Sequence, residues 1–148
     1  MTDRARTLAH RAGTRLARAE HVLDAVVVLL SVGAGGVGLS MLWVPQAYQV
    51  PSLRVAIDLF PAHVWGGVLL ALAVSTIVAL RGDRQTLAAC IGGQTVTWSL
   101  WGICLIIAVK TNNGVPSGAI IYTALSWVCF VLAAYYWQTR DRGLVHAV

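Results

Sequence analysis

The residues in this chain best suited to chemistry are few, and they sit in apolar surroundings. Gln94, Thr95, Thr97 and Ser99 form the densest polar patch inside any of its long apolar stretches. Gln94, Thr97 and Trp101 recur at steps of three and four, so they share one helical face. A carboxamide bonds back to its own helix less readily than Ser or Thr does. In lipid it needs a partner helix, a neighbouring subunit or water. The face is a candidate pore-lining or assembly surface, and the plainer alternative is an interhelical bond inside one bundle.

The ionisable groups point away from catalysis. Asp24 lies at the edge of the first apolar stretch, three residues after His21 and four after Glu20. Arg81, Arg84, Arg140 and Arg142 are its candidate partners. An acid so close to hydrocarbon is a functional candidate, but at a span end it can simply reach the headgroups. His21 and His63 fall at opposite ends of their spans and cannot share one haem. Cys90, Cys104 and Cys129 lie at differing depths with no CxxC, and read as small packing residues. No mid-span acid or His is present for proton or metal transport. No HExxH or Ser/His/Asp set at one depth occurs either. The expectation is a protein that is not an enzyme and carries no cofactor or metal.

A second feature is a run of small residues, Ser31-Val-Gly-Ala-Gly-Gly-Val-Gly. Ser31/Gly35 and Ala34/Gly38 are small-xxx-small pairs, and Gly33 and Gly36 add to the same groove. Such a groove lets another helix approach closely in lipid. Packing within the subunit, contact between subunits and a mobile gate all remain open. A phosphate loop is excluded, because no Gly-Lys-Ser/Thr follows and the run sits in an apolar helix.

The elements that must position these residues are four apolar stretches: Ala25–Val44, Ala62–Leu80, Leu87–Val109 and Ser117–Trp137. Each is about the 20 residues that cross a bilayer as a helix, and none holds Asp, Glu, Lys or Arg. Only 11% of the 148 residues are charged, against about a quarter in soluble domains. The expected fold is an all-α integral membrane four-helix bundle. Residues 1–21 form a basic cytoplasmic segment, residues 22–137 the bundle (22–44, 62–80, 87–109, 117–137), and residues 138–148 a tail. The first stretch is too long for a signal-peptide core and no cleavage site follows, so it reads as a true anchor.

Charge sets the orientation. Arg4, Arg6, Arg11, Arg15, Arg18, Arg81, Arg84, Arg140 and Arg142 share one side of a four-span chain, and only Arg54 and Lys110 lie on the other. The positive-inside rule puts both termini in the cytoplasm, in the inner membrane of the cell. Arg11, Arg15, Arg18, Asp24, Arg81 and Arg84 then form the inner-surface charge. The net charge of +5 is explained by orientation, with anionic lipids at the cytoplasmic face and no nucleic acid. Leu8, Ala12, Leu16 and Ala19 give the N-terminal segment a weak apolar face, so it reads as an amphipathic helix on the membrane surface.

Outside, Ser52 is placed to cap a short interfacial helix over Leu53–Phe60, with Arg54 and Asp58 paired four apart. Asn113-Gly114 and Pro116 predict a tight second outer turn. Trp43, Tyr48, Trp65, Tyr122 and Trp137 fall near span ends, as belt residues do. Trp98, Trp101 and Trp127 fall near mid-span and predict an aromatic layer between the last two spans.

The Arg-rich start, Trp65-Gly66, Trp101-Gly102 and Asn113-Gly-Val-Pro-Ser-Gly118 together resemble small four-span membrane proteins of actinobacteria and their phages, some of them holin-like. The resemblance implies a self-associating protein that forms a membrane pore or lesion. The competing expectation is a non-catalytic accessory or scaffold subunit of a larger membrane complex. The expected partners are the lipid bilayer and either further copies of the chain or that complex.

Overall fold

The computed structural model describes residues 3–111 and 116–139, with side chains from Ala19 onward. Five α-helices follow one another: α1 (Asp3–Trp43), α2 (Arg54–Leu59), α3 (Ala62–Ala79), α4 (Arg84–Lys110) and α5 (Pro116–Thr139). No strand occurs among the described residues. Four of these helices, α1 from Ala19 onward, α3, α4 and α5, are long and apolar enough to cross a membrane. The second outer turn, Asn112–Val115, and the tail from Arg140 lie outside the described residues, as do the side chains of Arg11, Arg15 and Arg18.

The N-terminal segment and the first span are one helix, with no break near residue 21. The sequence gives a physical reason. Helices kink at Pro or at Gly/Ser pairs, and between Gly13 and the serine and glycines starting at Ser31 there is neither. At about 1.5 Å per residue the 41 residues of α1 extend roughly 60 Å, twice the thickness of a bilayer core.

The α3–α4 turn shows why α4 starts earlier than expected. Asp83 caps it: one carboxylate oxygen accepts from Gln85 N at 2.8 Å, the other from Thr86 N at 2.9 Å and Thr86 Oγ1 at 2.7 Å. These bonds satisfy amides that an open helix start would leave bare. They also stabilise the carboxylate, so the Thr86 hydroxyl first, then the Gln85 and Thr86 amides, hold Asp83 below the usual carboxylate range.

The loop between α1 and α3 differs from expectation in its detail. Pro45–Tyr48 and Pro51–Leu53 form 3₁₀ turns, and the helix runs over Arg54–Leu59. Ser52 makes no capping bond, because it lies inside the second of these turns, and Leu53 takes the N-cap position instead. Arg54 and Asp58 do pair, at 3.7 Å and largely exposed. Pairs of this kind contribute little.

The helices associate as two hairpins. α1 lies along α3, and α4 lies along α5. Backbone contact sets the first hairpin. A Cβ on Gly38 would stand 2.7 Å from Gly66 O and 2.9 Å from Leu70 N, and one on Gly66 would meet Gly38 O at 2.7 Å. Gly33 and Gly36, in contrast, have nothing within 4 Å of the point where a Cβ would stand. At Gly102 the approach of α5 is looser: a Cβ there would stand 3.1 Å from the Thr123 hydroxyl and 3.5 Å from Thr123 N.

These contacts separate the glycines by experiment. Gly38→Ala should force the first hairpin apart and cost about 1–3 kcal/mol, the usual penalty of overpacking. Gly33→Ala should be neutral or mildly stabilising, since it adds helix propensity in open space. Unfolding in detergent micelles followed by circular dichroism distinguishes the two. The Asp83 cap should add pH dependence: its folded pKa is depressed, so its contribution is complete above the unfolded carboxylate pKa of about 4. It is lost as pH falls through the lower folded value. The melting temperature of the wild type should therefore fall on acidification more than that of Asp83→Ala.

Candidate functional site

The buried polar groups of the spans are the natural place to look for function, because each must be satisfied without water. Gln94 is 1% exposed and lies where α4 meets both helices of the first hairpin. Its Nε2 donates to Thr76 Oγ1 of α3 at 3.0 Å and to Ser31 Oγ of α1 at 3.4 Å. Thr76 in turn donates to Leu72 O, and Ser31 is fully buried. One carboxamide thus connects three helices.

Thr97 and Trp101 share this buried face, with Thr97 bonding back to Gly93 O at 3.0 Å. The expected pore-lining or assembly face of Gln94, Thr97 and Trp101 is therefore turned into the chain's own bundle. The small-residue run of α1 divides. Ser31, Ala34 and Gly38 are buried and Gly35 touches Ala73, whereas Gly33 and Gly36 are exposed on the opposite side. The reason is geometric: at 100° per residue the six positions cannot all lie on one stripe of a straight helix.

Above Gln94 stands a column of aromatic rings. Phe60 meets Trp65 edge to face, Trp65 meets Trp101 likewise, and Tyr122 lies against Trp101 and stacks on Trp98, all at centroid distances of 5.5–5.7 Å. Trp65 Nε1 donates to Ala56 O at 2.9 Å, which ties α2 to the bundle. Trp65 and Tyr122, expected as belt residues, are thus part of the interior. Trp127, expected in the layer, is 64% exposed and pairs with Phe130 at its own surface. Trp101 Nε1 is buried without a hydrogen-bond partner.

Three smaller polar links complete the picture. Ser99 and Ser126 join α4 to α5 at 2.6 Å, and Ser126 also approaches Thr95 O. Tyr136 OH donates to Asp24 at 2.6 Å. Arg84 reaches Glu20 and Thr139 at 3.3 Å each. Of the arginines expected near Asp24, Arg140 and Arg142 lie outside the described residues. Arg84 takes Glu20 instead, one turn nearer the helix end, and Tyr136 of α5 occupies Asp24. Arg81 is exposed on the same turn. At the other end Ser40 and Tyr48 bond, fastening the loop to α1.

Sequence reasoning missed Thr76, Ser126 and Tyr136 as the partners of these links. Their signal was faint: each is one of several weakly polar residues in an apolar span, and its face could be read only once a partner was known. A shallow apolar cleft of about 360 Å³ runs along α4 and α5, with Ser99, Thr123, Trp127 and Phe130 in its lining. Among the described residues no group of three or more His, Cys, Asp or Glu comes together to hold a metal ion. The three cysteines are unpaired. No family model, curated protein or solved structure matches the chain.

The Gln94 link is testable. Gln94→Met keeps the volume and removes the amide, leaving the Ser31 and Thr76 hydroxyls without it. Stability should fall by about 1 kcal/mol, the scale of interhelical bonds in membranes. Thr76→Val together with Gln94→Met should cost less than the two separate effects combined, because both remove the same bond. A double-mutant cycle in detergent measures this coupling.

Proposed function

We propose that this chain is a non-catalytic accessory subunit of a larger membrane complex. In this reading it is a multi-pass protein of the cell inner membrane with both termini in the cytoplasm, and it works by helix contact. One observation carries the reading. The strongest polar group within the spans, the Gln94 amide, is spent on bonds inside the chain, with Ser31 and Thr76. What the spans present outward is a lipid-like surface, on which Leu29, Val32, Val78 and Val131 are among the exposed residues. A surface of this kind suits lateral packing and offers little to line a water path.

The orientation follows from charge. Arg81 and Arg84 stand at the same end as the basic N-terminal part of α1, since Arg84 contacts Glu20. The positive-inside rule makes that end cytoplasmic, next to anionic lipids. α2 then lies at the outer surface as an interfacial helix, with its Arg54–Asp58 pair and the following Phe60 exposed.

A second reading, self-association into a holin-like pore or lesion, is favoured by Gly33 and Gly36, whose open face permits close approach of another copy. Extraction of native membranes in a mild detergent, followed by sizing and identification of every co-migrating chain, decides between the two. The accessory reading expects a complex containing at least one different protein. A lone monomer or a pure homo-oligomer would overturn it. Loss of membrane potential on induced expression would support the pore in its place.

A further inference from the structure

α1 is far longer than its span, and its excess carries the densest charge in the chain. The charge-free apolar stretch begins at Ala25, and residues 3–18 belong to the same helix on the near side of it. This stretch holds Arg4, Arg6, Arg11, Arg15 and Arg18 against Asp3 alone. Arg4, Arg11, Arg15 and Arg18 follow steps of seven, four and three and so form one row. Beside the row, Ala5, Ala9, Ala12, Leu16 and Ala19 alternate steps of four and three, the spacing of a seam that packs against a second helix.

The continuity of α1 decides what this row can reach. A basic helix that binds headgroups must lie in the membrane plane. That would require a sharp turn near Ala19, where the helix has none. Along the axis Arg11 and Arg4 stand roughly 21 and 32 Å before Ala25. Surface charge is screened within about 8 Å at physiological salt. Those arginines therefore act outside the field of the bilayer. A nucleic acid would satisfy the charge but would leave the apolar seam wet, whereas a helix with its own apolar stripe covers it.

We infer that residues 3–18 are a docking arm for an acidic amphipathic helix belonging to an extramembrane part of a partner protein. The Arg row pairs with carboxylates, for which the planar guanidinium fork is well matched. The alanine-rich seam lets the two helices come close. This rests on the accessory-subunit reading and names the chemistry of the partner. The two fail separately: sizing concerns native membranes, and docking is measured on the purified chain.

The test uses the full chain in nanodiscs of zwitterionic phosphatidylcholine. The probe is a synthetic heptad-repeat peptide with Leu at its seam and Glu on its flanks. A matching peptide with Lys for Glu is the control, and fluorescence anisotropy reads the binding. The Glu peptide should bind, and more weakly as salt rises. Replacing Arg4, Arg11, Arg15 and Arg18 with Gln should weaken it at least about tenfold, given the usual size of exposed pairs. Leu16→Ser should weaken it as well. Equal binding of the two peptides, or none, would overturn the proposal. So would tighter binding of a DNA duplex than of the Glu peptide. A fluorophore at residue 7 that is quenched by headgroup-labelled lipid in phosphatidylglycerol discs would also overturn it, because the arm would then lie on the membrane.

Discussion

The Gln94 amide is the interaction on which the arrangement of the spans depends. Lipid tails are as apolar as leucine, so burying an apolar face against another helix gains little in a bilayer. The first hairpin has a close backbone crossing at Gly38 and Gly66, and in the second Gly102 leaves room for the Thr123 side chain, with Ser99 bonded to Ser126. Between the hairpins the chain supplies the turn of residues 80–83 at one end. The Asp24–Tyr136 and Arg84–Glu20 contacts also lie near the span ends, where water competes. Deep in the bundle it is Gln94 that reaches from the second hairpin to both helices of the first. An amide left alone in hydrocarbon costs several kcal/mol, so the unlinked arrangement is disfavoured even though the bond itself is modest.

Packing does the rest through size. Gly38 and Gly66 bring backbones together, and the rings from Phe60 to Trp98 pack at the end of the bundle where the loop of residues 44–61 lies. These two devices are coupled by Trp65, which neighbours Gly66 in sequence. Its ring enters the column from a helix that the glycine beside it lets sit against α1. Its indole N–H then fastens α2, so the loop's position follows from the packing of the spans.

The same physics explains what was legible in the sequence. The four spans could be read closely, because lipid admits only long apolar helices and charge marks their ends. For α3, α4 and α5 the helix ends lie within three residues of the expected limits, whereas α1 starts at Asp3, far ahead of the apolar stretch. At the start of α4 the difference comes from the Asp83 cap, a local signal that hydropathy does not register. The faces were much harder to read. In water an apolar stripe marks the interior. In a bilayer both sides of a helix are apolar, so Trp98 and Trp127, similar in depth, could not be told apart, and neither could Gly35 and Gly36. Polar residues were the better guide: Gln94 and Thr97 stand out together in the sequence and do share a buried face. The side they would face, towards water or into their own bundle, depends on Ser31 and Thr76, and no spacing within span three contains that information.

The division of polarity along α1 bears on how such a protein can act. Between Val27 and Met41 its polar contacts are absorbed by its own bundle or by the loop above it, and its outward residues resemble lipid. Before Ala19 the same helix is dense in arginine. One helix carries both characters, and Gly38 and Gly66 seat its apolar part against α3. Gln94 and Arg84 extend that connection to α4, and Tyr136 extends it to α5.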